Sequence, residues 1–273
     1  MTPILQKHWF VFFLLLAYTP ALAPSALAEN SDLGIYRFNI EKLKHNLLSR
    51  PHDPNLHYNL GNNYWKLGQY NESIKHYKET LKIQPFDAEA HTGIGFAYGQ
   101  TGQNSKAIHH YNKALKINPD DPKAHYRLGY EFLNAGELEK AETYFKGATN
   151  LDPYFILAFK DLAYVTSQLN DTKNAIKYYK QALKLDRNDK EVHQALLELF
   201  QQSGMTSEVI NQYEKIIRIN PKDIVTRRIL ASLYTKVGRE QDAIRHYRAT
   251  VKLNPNDKKA HQALAHLHSR SGK

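Results

Sequence analysis

A period of 34 residues constrains this chain more than any other feature of it. Steps of 34 from Pro119 land on Pro51, Pro85, Pro153, Pro221 and Pro255, with Arg187 standing in at the remaining place. The same steps from Gly136 land on Gly34, Gly68, Gly102, Gly204, Gly238 and Gly272, with Asn170 between them. A proline lacks an N–H and its ring clashes one turn back, so a helix arriving there must stop. In the stretch INPDDPKAHYRLG, Asp121 then caps a new helix and Pro122 fits its first turn. Apolar residues recur at helical spacing on both sides of each glycine: Ala124, Leu128 and Phe132 before Gly136, then Ala141, Tyr144, Phe145 and Ala148 after it. Such helix pairs cannot bury their apolar faces alone, so the blocks must stack.

The stacking positions are marked by size. Gly61, Gly95, Gly129, Ala163, Ala231 and Ala265 share one place in the first helix, and Ser73, Ala107, Ala141, Ala175 and Ala243 one place in the second. Small side chains there let helices approach closely. Bulky residues come next at Tyr77, Tyr111, Phe145, Tyr179, Tyr213 and Tyr247, then Thr80, Ala114, Ala148, Ala182, Ile216 and Thr250. The order Leu-Gly, Tyr, Ala, aromatic, Ala, Pro at this period resembles the tetratricopeptide repeat (TPR) family. The resemblance implies an all-α fold, a right-handed α-solenoid of helix-turn-helix TPR units whose first helices line a concave face. Six units are expected at 54–87, 88–121, 122–155, 156–189, 190–223 and 224–257, between an N-terminal capping half-repeat at 29–53 and a C-terminal capping helix at 258–273. Leu197, Val209, Ile216 and Arg187 depart from the pattern, which predicts an altered packing angle between the fourth and fifth units.

The chain opens MTPILQKHWFVFFLLLAYTPALAPSALAEN. Its apolar run, Trp9 to Tyr18, is half the ~20 residues that a membrane-spanning helix needs, and Pro20 and Pro24 break any continuation of it. The Ala26-Leu27-Ala28 ending fits a signal peptide over 1–28 cleaved after Ala28, hence export, to the periplasm or beyond. An uncleaved anchor is the other reading. With no cysteine the exported protein relies on packing rather than disulfides. The net charge of +10 admits anionic partners.

Catalytic chemistry finds little support. Eight of the 14 histidines belong to two repeat positions, His57, His91, His125, His193 and His261 in one and His76, His110 and His246 in the other, which points to packing rather than metal. GIGFAYG, Gly93 to Gly99, lacks the spacing of a phosphate loop and comes after no strand. No nucleophile has a partnered base. The expectation is a non-enzyme with no cofactor, no metal site and no nucleic-acid partner.

The TPR resemblance instead directs attention to first-helix side chains that stacking does not need. Tyr58, Trp65, Phe96, Tyr126, Tyr130 and Tyr164 make an aromatic groove through the first four units, and the later units are polar. Such rings either anchor a partner peptide or helix or fill the interior against one another. Lys123, Arg127 and Lys160 are the candidate charge anchors. With Asn62, Lys123 and Arg127 match three of the five positions by which chaperone-binding TPR proteins hold a terminal carboxylate, while Tyr58 and Gly93 replace the other two. An acidic or C-terminal segment of another protein is the expected partner. On the second helices Lys75, Lys78 and Lys82, then Lys177, Lys180 and Lys184, then Arg245, Arg248 and Lys252 form cationic ridges, and a membrane-surface organiser contacting anionic lipid through them is the alternative.

Overall fold

Leu67 ends a helix by handing the chain to Gly68 at a φ of 71°, a left-handed conformation that glycine enters without steric cost. The Gly68 N–H then donates to the Trp65 carbonyl and the Gln69 N–H to that of Tyr64, both at 2.9 Å, which satisfies two of the last-turn carbonyls. Asn170 adopts the same conformation, with φ 63°, where the period puts an asparagine in place of glycine.

The structure, a computed structural model, describes residues 26–270. It consists of helices α1 (Ala26–Ser49), α2 (Pro54–Lys66), α3 (Tyr70–Ile83), α4 (Ala88–Gln100), α5 (Asn104–Ile117), α6 (Pro122–Asn134), α7 (Leu138–Leu151), α8 (Ile156–Gln168), α9 (Thr172–Leu185), α10 (Lys190–Gln202), α11 (Thr206–Ile219), α12 (Ile224–Lys236), α13 (Glu240–Leu253) and α14 (Lys258–Arg270). There is no strand among the described residues. The expected leader lies, up to residue 25, outside them. No described helix is long and apolar enough to cross a membrane.

The corners between repeats, with or without their proline, work through their aspartates. Asp53, Asp87, Asp189 and Asp223 each accept a hydrogen bond from a first-turn N–H of the helix they cap. Asp121 does the same for the Lys123 N–H at 2.8 Å, as its sequence position predicts.

The helices form two compact halves, divided between residues 131 and 132 within α6. In the N-terminal half, Ile40 of α1 packs with Leu60 and Tyr64 of α2, and Ile74 and Tyr77 with Ala90, Ile94 and Ala97. The reason for the small positions is visible at Gly61 and Gly95. A Cβ on Gly61 would lie 2.7 Å from the Tyr77 ring, and one on Gly95 2.9 Å from that of Tyr111. In the C-terminal half one core runs from Ala163 to Leu267 and includes Leu197 and Val209, the two large residues at small positions. There α10 and α11 pack less closely than α2 and α3 or α4 and α5 do.

Candidate peptide-binding face

The first helices touch along diagonals. The Tyr58 hydroxyl donates to Glu89 at 2.8 Å, 31 residues on. Lys160 Nζ reaches Asp189 at 2.9 Å and Glu191 at 2.7 Å, and Arg228 reaches Asp257 at 2.8 Å. Tyr58, Lys160 and Arg228 share one repeat position, and each closes onto the beginning of the next first helix. The aspartates serve twice: Oδ1 of Asp189 caps the Val192 N–H while Oδ2 takes Lys160, and Asp257 divides its oxygens likewise between Ala260 and Arg228. Burial raises the Asp189 pKa, but the bonds from Lys160 and from Val192 outweigh it and hold the carboxyl below its ordinary value. At Asp257 the Ala260 N–H is the largest cause of a similar lowering.

These latches correct three sequence-based expectations. Lys160 is neutralised by two carboxylates of its own chain and is not a spare charge anchor. Tyr58 is engaged with Glu89, and burial together with that carboxylate pushes its hydroxyl pKa up to about 12. Tyr126, at the same repeat position, is only 2% exposed and offers no area to a partner.

One repeat step differs from the diagonal by three residues, close to a helical turn, so a residue late in one first helix meets an earlier one in the next. Trp65, Phe96 and Arg127 lie on such a line, from α2, α4 and α6. The Trp65 and Phe96 rings pack edge to face with centroids 5.0 Å apart, and the Arg127 guanidinium lies 4.3 Å from the Phe96 centroid. Lys66 Nζ is 4.4 Å from the Trp65 ring. All three members of the line are partly exposed, and the indole Nε1–H of Trp65 is enclosed with no acceptor among the described residues. Beside Arg127, Glu131 is 5% exposed, and burial pushes its carboxyl up to about 7 against the opposing Arg127 charge.

Asn62 accepts a 2.6 Å hydrogen bond from the Tyr77 hydroxyl, and the Tyr77 ring also fills the space over Gly93, where a Cβ would lie 2.5 Å from it. Two positions of the carboxylate-holding arrangement are thus occupied by one core tyrosine. Lys123 is exposed and Tyr130 partly so. Tyr164, partly exposed, belongs to the C-terminal half with Lys160.

The family model of the cilia and flagella-associated protein 70 C-terminal domain, a TPR domain, matches residues 20–266. The chain belongs to this TPR family. Its fold is accordingly an all-α solenoid of helix-turn-helix units. Among solved structures, the C-terminal part of a TPR repeat-containing protein from Cytophaga hutchinsonii is 19% identical, with a TM-score of 0.66 over 84% of this chain and 96% of that one. MamA is 21% identical, with a TM-score of 0.56 over 60% of this chain and 95% of that one. YrrB, described as a TPR protein with an unusual peptide-binding site, is 19% identical, with a TM-score of 0.52 over 68% of this chain and 96% of that one. No curated protein matches the sequence.

The histidines take a form that column-by-column reading misses. His57 and His76 approach at 3.2 Å between Nδ1 atoms, and His91 and His110 at 3.1 Å. His57 Nε2 faces the Pro51 carbonyl at 3.2 Å and donates to it, so its Nδ1 is bare and accepts from His76. Burial, then the neighbouring imidazole, lowers His76 and His110 to about 4. In the fifth repeat Gln212 replaces the second histidine and its Nε2 donates to His193 Nδ1.

Proposed function

We propose that the chain is a protein-interaction scaffold of the cell envelope that holds a peptide or helix of a partner protein against Trp65, Phe96 and Arg127. The observation that carries this reading is the diagonal stack itself. Three large side chains from successive first helices lie partly exposed, and none of them is used in the latches that join repeat to repeat. Rings of this kind bury much area with few rotors to freeze. A guanidinium laid over a ring keeps its N–H edge for a carboxylate, and Lys123 stands one turn before it, so an acidic or C-terminal segment suits the face. Tyr130 and Tyr164 extend the contact surface of their respective halves. The envelope setting rests on the leader-like residues 1–28.

A photo-reactive crosslinker at Thr92, one turn before Phe96, tests the proposal in producing cells, with Lys113 on the second helix as the control position. A partner captured from Thr92 and absent from Lys113 is expected. Equal capture from both, or none from Thr92, contradicts it. N-terminal sequencing of the protein from fractionated cells tests the setting: a mature chain beginning at Glu29 outside the cytoplasmic fraction is expected, and an intact chain in the cytoplasm contradicts it.

A further inference from the structure

An open cleft of about 700 Å³ lies between α9 and the turn joining α10 to α11. One wall carries Lys173, Lys177, Lys180 and Lys184 in a row along α9. Ile176 of the same helix and Phe200 and Met205 from α10 and the turn after it supply the apolar lining, and Met205 is 38% exposed. Glu208 is the single acidic residue of the lining.

Each of the other two basic ridges has one residue paired with a carboxylate, whereas the α9 row has none among the described residues. Lys82 pairs with Glu79 at 2.7 Å and Arg245 with Asp242 at 2.8 Å. Lys177, Lys180 and Lys184 have no carboxylate within ion-pair reach among the described residues. From Lys173 to Lys184 the row covers eleven residue steps of α9, roughly 16 Å at the helical rise, which matches about three turns of a second helix laid alongside.

We infer that this cleft is a second docking site, on second-helix residues apart from the Trp65–Phe96–Arg127 face, and that it takes an acidic amphipathic helix of a partner protein. Carboxylates spaced three and four residues apart on such a helix meet the lysines, while its apolar side chains enter against Ile176 and Met205. Apolar side chains beside the lysines favour an amphipathic helix, which offers carboxylates and apolar side chains together, over a lipid headgroup surface that offers anions alone.

The test uses the full chain and a labelled synthetic peptide with glutamates on one helical face and leucines on the other, alongside a peptide with glutamine for each glutamate. The doubly reversed variant Lys177→Glu/Lys180→Glu is compared with Lys75→Glu/Lys78→Glu, which makes the same charge change on α3. The proposal expects the acidic peptide to bind with an affinity that falls as salt is raised, at least about tenfold more weakly to the α9 variant, and unchanged to the α3 variant. Met205→Ala should weaken it as well. Equal loss in both charge variants makes the effect one of net charge and overturns the site, as does failure of the acidic peptide to bind or equal binding of the glutamine peptide. Binding of phosphatidylglycerol vesicles that depends on Lys177 and Lys180, without peptide binding, assigns the row to a membrane and overturns it too.

Discussion

The Glu131 carboxyl lies against the bare backbone of Gly99, so close that a Cβ there would sit 2.4 Å from Oε1. Gly99 thus makes room for an acid that is 5% exposed and whose Oε2 has no hydrogen-bond partner among the described residues. Burial is the cause of its raised pKa, with Arg127 opposing. A carboxyl whose folded pKa is raised contributes its full stability below the unfolded pKa of about 4.5 and loses it as pH rises through about 7.

Glu131→Gln should therefore stabilise the protein at alkaline pH. We expect about 1–2 kcal/mol at pH near 8, less than the whole shift because Arg127 and solvent screen the charge, and little difference near pH 4. Urea unfolding of both proteins across that range checks it. An equal effect at both ends would mean that the carboxyl does not titrate in this window.

The paired imidazoles give the opposite slope. His76 and His110 have folded pKa values lowered to about 4 from an ordinary 6.5, so their contribution is complete above 6.5 and is lost as pH falls from there toward 4. His76→Gln/His110→Gln copies the Gln212–His193 arrangement of the fifth repeat. It should remove about 1–3 kcal/mol of acid sensitivity, after allowing for the partial exposure of both rings, while leaving stability at neutral pH nearly unchanged. An unaltered acid limb in the unfolding curve would be evidence against the pairs as its source.

Gly61→Ala puts a methyl group into the Tyr77 ring at 2.7 Å. The ring is buried and cannot swing aside, so the cost expected is about 1–3 kcal/mol despite the better helix propensity of alanine. A neutral or stabilising result in thermal unfolding would show that α2 and α3 can separate freely.

How the repeats join was only partly legible in the sequence. Prolines, glycines and the Gly61-type positions fixed corners, turns and helix pairing, because each of those properties depends on residues within one block. The contacts between blocks run along diagonals, as Tyr58 with Glu89 and Trp65 with Phe96 show, whereas alignment at period 34 gathers residues into columns. Tyr58, Tyr126 and Lys160 formed one such column and read as a groove. Their partners, Glu89, Asp189 and Glu191, were invisible without the crossing of neighbouring first helices. The His57–His76 pairs were missed for a related reason, since the two columns belong to opposite helices of the same block.

The latch reading of Lys160 separates it from any partner-binding role. Lys160→Met leaves the half-buried Asp189 carboxyl without its cation, and a loss of about 1–2 kcal/mol is expected with no change in partner affinity. A loss of affinity at unchanged stability would return Lys160 to the docking face.

The most direct measurement is the affinity of the Thr92-crosslinked partner for the chain carrying Trp65→Ala or Phe96→Ala, with Lys160→Met as the reference. Each ring truncation should weaken binding by more than about 1 kcal/mol, a fivefold or greater rise in Kd, while the reference binds as the unaltered protein does. Unchanged affinity after both ring truncations, in variants that remain folded, would contradict the assignment of this face as the place where the partner is held.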